Sequence, residues 1–277
     1  MKNESLNHIE AIKRLLLTIR ASERMHALII EGPPGWGKTT AVEDALRAAG
    51  VTGVHLGSYS TPLHLFNFLH DNARNTVVID DCAGLFSDQS SMAILKAATW
   101  GQGKQRKIRW GSTSGKASAE EFTFEGKLVI VCNSFPATAD AEAVKSRSFP
   151  YRINIDPTGA KALLEKAAEN QDLYSDTQKA TEVARFLSQK ISATSVHQIS
   201  YRTLQMGYEL AQHNGEQWRD LLERMVVAAP EDPKKLVRQL SRRGLAVKDQ
   251  VRIFEESTGL KRRTFFKYRR ELGVSRA

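Results

Sequence analysis

The sequence predicts an α/β fold that gives way to an all-helical region, and three observations carry that expectation. An apolar run, Ala27 to Ile30, leads into a glycine-rich loop. A helically spaced stretch, Thr40 to Ala49, follows and ends at Gly50, a residue suited to closing a helix. Two further β-branched runs, Thr76 to Asp81 and Lys127 to Asn133, read as buried strands that end in polar residues. Beyond Asp156-Pro157 strand signals fade, and apolar residues recur at i, i+3 and i+4, as in Ala162 to Ala168, Ala184 to Lys190 and Leu204 to Leu210.

The loop carries the most chemistry. Gly32-Pro33-Pro34-Gly35-Trp36-Gly37-Lys38-Thr39 fits G-x-x-x-x-G-K-[ST], the pattern that holds the phosphates of a nucleoside triphosphate, with Thr40 opening the helix behind it. Gly32, Gly35 and Gly37 permit positive φ and leave no Cβ in the way, so successive backbone N–H groups can point at anionic oxygens. Lys38 supplies a point charge for the β/γ-phosphates, and the Thr39 hydroxyl suits a Mg²⁺ shell. Strand, glycine loop and helix stand in the required order, and the helix N-terminus adds its own attraction for phosphate. Trp36 occupies a variable position of the pattern.

The strand-like run from Thr76 ends in Asp80-Asp81, some forty residues after Lys38. Asp80 is expected to reach the Mg²⁺ shell, and Asp81 to orient or deprotonate the attacking water. Paired acids after a strand also serve as helix N-caps, and that alternative stays open here. The third run ends at Asn133, followed by Ser134-Phe135-Pro136. Asn133 is placed to bridge water and γ-phosphate, although asparagine at such a point also forms turns.

In this order, with Ser146-Arg147-Ser148 after the third run and Ser200-Tyr201-Arg202-Thr203-Leu204 in the helical region, residues 10–228 resemble an AAA+ ATPase. The clamp-loader, replication-initiator and branch-migration types are the most similar. The resemblance implies a three-layer α/β domain with a helical lid, ATP and Mg²⁺ as ligands, and a homo-oligomer, either a ring (a hexamer) or a helical filament. It makes Asn133 the sensor-1 residue, Arg147 the arginine finger acting on a neighbouring subunit's nucleotide, and Arg202 the sensor-2 arginine. Ser146-Arg147-Ser148 is close to the clamp-loader SRC box without its cysteine. Arg152, in the alternating stretch Tyr151 to Asp156, competes with Arg147 for the finger role. The family usually has Glu where this chain has Asp81, so slow hydrolysis is an open expectation.

Composition is ordinary for a globular chain, and no run of 18 apolar residues occurs, so a membrane span is not expected. The start of the sequence lacks an apolar signal segment, and Cys82 and Cys132 each end or follow a strand-like run. Both facts fit a reduced, cytoplasmic protein with core thiols. His55, His64 and His70 are too irregularly spaced for a metal site. The net charge of +9 is concentrated at the C-terminal end: residues 230–277 hold 14 Lys/Arg against 6 Asp/Glu. Within them Val247 to Glu256, the turn Ser257-Thr-Gly-Leu260 and the basic stretch Lys261 to Leu272 have the grammar of a helix-turn-helix, with Val251, Phe254, Leu260, Phe265 and Leu272 as shared core. Arg262, Arg263, Lys267, Arg269 and Arg270 are expected to face outward, toward DNA.

A second basic segment lies inside the α/β region. No acid falls between Asp88 and Glu120, while Lys96, Lys104, Arg106, Lys107, Arg109 and Lys116 do, interleaved with Trp100 and Trp110. Cations with aromatic faces suit a phosphate backbone and its bases, which makes Lys104, Arg106, Lys107 and Arg109 candidate DNA contacts. Three domains are expected: 1–156 for nucleotide, 157–229 as lid, and 230–277 for DNA. The expected function is an oligomeric ATPase acting on DNA in replication, recombination or transposition, with a helicase, clamp or recombinase as possible partner. The alternative is a nucleotide-controlled regulator or protein-remodelling chaperone whose basic tail binds a protein.

Overall fold

The computed structural model describes residues 8–57, 59–101, 105–111, 116–192, 198–226, 233–242, 245–258 and 260–273. Lys104 lies outside them. By its contacts the chain divides into two compact units, residues 1–154 and 155–277.

The first unit begins with α1 (His8–Ala21), β1 (Ala27–Glu31), α2 (Lys38–Ala48), β2 (Gly53–Leu56), α3 (Pro62–Asp71) and β3 (Thr76–Asp80). It continues with α4 (Ala83–Ser87), α5 (Gln89–Thr99), a pair β4 (Arg106–Arg109) and β5 (Glu121–Phe124), then β6 (Lys127–Cys132), α6 (Ala139–Ser146) and β7 (Phe149–Arg152). Five strands form one parallel sheet in the order β2-β3-β6-β1-β7. Strands β1, β3 and β6 are buried almost end to end, which is why they read as continuous apolar runs rather than alternating ones. One face of the sheet (Ala27, Ile29, Val77, Ile79, Leu128, Ile130) joins a core with Leu65, Leu95 and Val144 of α3, α5 and α6. On the other side α1 packs against α2 and touches β1 and β7. The result is three layers.

Between α5 and β6 the chain inserts the antiparallel pair β4–β5, with Arg106 opposite Phe124 and Arg109 opposite Glu121. The strand signal is only four residues long on each side and is diluted by the glycines around it.

The second unit contains α7 (Pro157–Ala168), α8 (Thr177–Lys190), α9 (Tyr201–His213), α10 (Trp218–Val226), α11 (Pro233–Arg242), α12 (Val247–Thr258) and α13 (Arg262–Glu271), and no strand among its described residues. Asp156 starts it, its carboxylate accepting the Gly159 N–H at 2.6 Å. Helices α8 and α9 approach closely because Gly207 has no side chain: a Cβ there would meet a methyl of Val183 at 2.5 Å. Helices α11 to α13 enclose an apolar cluster of Leu236, Val237, Leu240, Val251, Phe254 and Phe265, with Leu260 and Leu272 packed against it.

Candidate functional site

The strand order brings the ends of β1, β6 and β3 side by side, and every residue of the phosphate-loop pattern follows from that edge. Gly32 leaves β1, donating its N–H to the Cys132 carbonyl at 3.3 Å. A Cβ on Gly32 would sit 2.7 Å from the Cβ of Ile153, just past β7, so the first glycine is required by packing. Gly35 and Gly37 require glycine for another reason: their φ angles are 79° and 74°, in the left-handed region. Pro33 is partly buried, while Pro34 and Thr40 are exposed.

Lys38 is the first residue of α2, and its side chain is nearly enclosed. Its ammonium donates to the carbonyls of Gly32 and Pro33, both at 2.8 Å, and to Asn133 Oδ1 at 3.0 Å. The next residue, Thr39, donates its hydroxyl to Asp80 Oδ2 at 2.7 Å across 41 positions of sequence. Loop, β3 and β6 are thereby joined by two side-chain bonds. Thr39 and Asp80 offer a hydroxyl and a carboxylate from adjacent elements, the hard oxygen donors that Mg²⁺ takes while keeping its remaining positions for water and phosphate. The residues present fit that ion.

Asp81 is exposed, with φ of 52°, the one non-glycine residue in the left-handed region among the described residues. Its N–H bonds the Val131 carbonyl at 3.1 Å, so its backbone is held against β6 beside Asn133. Cys82 and Cys132 are buried, as core thiols should be, and burial pushes the Cys132 thiol up to about 12.

Trp36 shows what the pattern does not reveal. At the tip of the loop its side chain is fully buried, and its carbonyl is bonded by His8 Nε2 of α1 at 2.9 Å. His8 is itself buried, and desolvation lowers its pKa below the usual histidine value. A large apolar residue at a variable loop position was the available signal for an internal anchor. Nothing in the sequence pointed to His8 as its partner.

The two finger candidates differ in what holds them. Arg152 on β7 pairs with Glu31 of β1 at 3.2 Å, so it is engaged at its own strand edge. Arg147 closes α6 and meets no carboxylate among the described residues: its guanidinium donates to the Lys96 carbonyl at 3.4 Å and lies 5.7 Å from the Trp100 ring centroid. Arg202 is exposed in the first turn of α9, in the second unit.

Two expected DNA contacts are corrected. Arg106 is completely buried, donating to the carbonyls of Ala98, Phe124 and Gly126 and lying over the Phe124 ring. On β4 burial alternates, so Arg106 and Ile108 face inward while Lys107 and Arg109 face out. Burial lowers the Arg106 pKa to about 10. Arg269 is likewise only 8% exposed, on the side of α13 that also carries Phe265. The remaining expected contacts on α13 do share the outer face: Arg262, Arg263, Lys267 and Arg270 are exposed. Lys107 and Arg109 are exposed but both pair with Glu121.

The parallel sheet in this order, the glycine loop between its central strand and α2, and the helical second unit define the fold of the AAA+ ATPases. Among solved structures the chain is similar to a single-site variant of RuvB from Thermotoga maritima, at 14% identity over 97% of this chain and 90% of that one, with a TM-score of 0.52. It is also similar to the Thermotoga maritima RuvB Holliday junction branch migration motor (13% identity, 98% and 89% covered, TM-score 0.49). A third likeness is to the Aeropyrum pernix ORC1 protein in complex with DNA (15%, 98% and 84%, TM-score 0.47). No family model and no curated protein matches the sequence.

Proposed function

We propose that this chain is an ATP-hydrolysing AAA+ protein that works as a homo-oligomer on DNA. The observation that carries the nucleotide half is the convergence of Lys38, Thr39, Asp80 and Asn133 at one strand edge. Loop amides and Lys38 hold the phosphates. Thr39 and Asp80 hold Mg²⁺, which neutralises phosphate charge when bound. Asp81 takes a proton from the attacking water, and Asn133 orients that water from the end of β6. Arg147 reaches the nucleotide of a neighbouring copy, and Arg202 reports nucleotide state from the helical unit. Arg147 suits that role better than Arg152, because an arginine destined for a phosphate must not already be neutralised by a carboxylate.

The DNA half is supported by α12 and α13, read as a helix-turn-helix whose outer face carries Arg262, Arg263, Lys267 and Arg270. RuvB, with the similar fold, is a Holliday junction branch migration motor. No helix among the described residues is long and apolar enough to cross a membrane. The deciding experiment is the steady-state MgATP hydrolysis rate alone, with single-stranded DNA and with duplex DNA. Stimulation by either DNA is the expected result. A rate unmoved by DNA and raised only by a protein partner would replace this reading with that of a nucleotide-controlled regulator.

A further inference from the structure

We infer that Trp100 is a positioning residue for ATP hydrolysis, holding the Arg147 guanidinium in a pose from which it can meet a phosphate. The inference rests on the reading of Arg147 as the arginine that acts across the subunit interface.

Trp100 closes α5 in an extended conformation (φ −134°, ψ 130°), and its side chain is 60% exposed. Its backbone is fixed by the next residue. A Cβ on Gly101 would lie 2.3 Å from the Gln105 carbonyl oxygen and 2.7 Å from Arg106 Cγ, so Gly101 packs directly on the start of β4. The ring is therefore set where α5 ends, and Arg147 comes to it from the end of α6, with the guanidinium carbon 5.7 Å from the ring centroid.

The nature of the contact decides its use. A guanidinium over an indole is covered on its face, while its N–H groups lie in the plane and stay available at the edge. The hydrogen bond from the Arg147 guanidinium to the Lys96 carbonyl, at 3.4 Å, is long and weak. Lys96 is kept from competing for that space by its own bond to Asp140 at 2.7 Å. Other arginines of this unit, Arg14, Arg47, Arg74, Arg109 and Arg152, are paired with carboxylates. Arg147 is instead steadied by an aromatic face and a weak carbonyl bond, both of which it can keep or exchange without first breaking an ion pair. Trp100 restricts the rotamers of a long side chain and leaves its charge intact.

The test is a set of four variants in steady-state MgATP hydrolysis by the full chain, with thermal melting as a check on folding: Trp100→Ala, Trp100→Phe, Arg147→Ala and the Trp100→Ala/Arg147→Ala pair. An exposed cation–π contact corresponds to a loss of about 2- to 5-fold, so Trp100→Ala should lower kcat by that factor with KM for MgATP unchanged. Trp100→Phe, which keeps an aromatic face, should restore most of it. In the Arg147→Ala background the tryptophan substitution should change nothing further. The inference is overturned if Trp100→Ala leaves kcat at the wild-type value, or lowers it by the same factor whether or not Arg147 is present. Arg147→Ala at full wild-type kcat would instead refute the reading of Arg147, and the role of Trp100 would fall with it. A slow Arg147→Ala beside a fully active Trp100→Ala refutes only the role of Trp100.

Discussion

The phosphate loop and the β4–β5 pair both present a basic residue beside backbone carbonyls, yet they use it in opposite ways. Lys38 gathers two carbonyls and Asn133 at a strand edge, surrounded by glycines that leave room for phosphate. Arg106 gathers three carbonyls in the interior, under the Phe124 ring, where no ligand can approach. One cation sits at the proposed phosphate site and the other ties together the end of α5, the end of β5 and the entry to β6. A count of positive charges cannot separate them, because orientation is set by strand alternation and by what the neighbours leave open.

The widest gap between the two should appear at Lys38. Lys38→Ala is expected to lower the rate of MgATP hydrolysis by of the order of 10²–10³-fold, as loss of one charged donor to a phosphoryl group does, while the variant still folds. Unaltered ATP affinity and rate would remove the basis of the nucleotide site. Arg106→Ala should behave the other way round. It strips the donors from three buried carbonyls and opens a cavity, so unfolding measurements should register a loss of about 2–4 kcal/mol. Arg106→Met keeps most of the stem and buries no charge, and it should cost less than the alanine variant. Lys107→Ala and Arg109→Ala, exposed partners of Glu121, should each shift stability by no more than about 0.5 kcal/mol. If Arg106→Ala melts like the wild type, its burial is not structural.

The same contrast recurs on a smaller scale in α13. Arg263→Ala, Lys267→Ala and Arg270→Ala should each weaken duplex binding and reduce the slope of log affinity against log salt by about 1, as expected for one phosphate contact. Arg269→Ala should leave that slope alone and destabilise the three-helix cluster instead. Anisotropy titrations at two salt concentrations separate the cases, and an equal slope change for Arg269→Ala would restore it to the DNA face.

The smallest effect concerns His8. Its folded pKa lies below 6.5 because burial disfavours the charged ring, while the hydrogen bond to Trp36 opposes that shift less strongly. The unfolded chain therefore takes up the proton first. The stability held above pH 6.5 should fall as pH drops from the unfolded value toward the lower folded one, then level off. His8→Gln, with an amide that can still donate to the Trp36 carbonyl, should flatten that part of the stability profile. A profile identical to the wild type would mean that His8 does not titrate with folding.

Much of this was legible from the sequence because the informative patterns are short-range. Glycines at positions needing positive φ, a lysine and a threonine opening a helix, and apolar runs ending in Asp80 and Asn133 all declare geometry within a few residues. What was not legible depends on residues distant in sequence. The β4–β5 pair is two four-residue strands whose partners lie across a polar loop. His8 meets Trp36 across 28 positions, and the sequence of α1 contains no mark of it. Arg106 and Arg269 misled because their neighbours in sequence are basic too, whereas in space Arg106 meets carbonyls and the Phe124 ring and Arg269 lies on the buried side of α13.

The left-handed backbone of Asp81 bears on which acid this position can carry. Asp and Asn tolerate that conformation far better than longer side chains, for which it costs about 1–2 kcal/mol. In an Asp81→Glu variant the new residue would arrive on a backbone shaped for the shorter one. It would either strain the turn after β3 or loosen the bond between its N–H and Val131. The local path of the chain thus favours the shorter acid at this position.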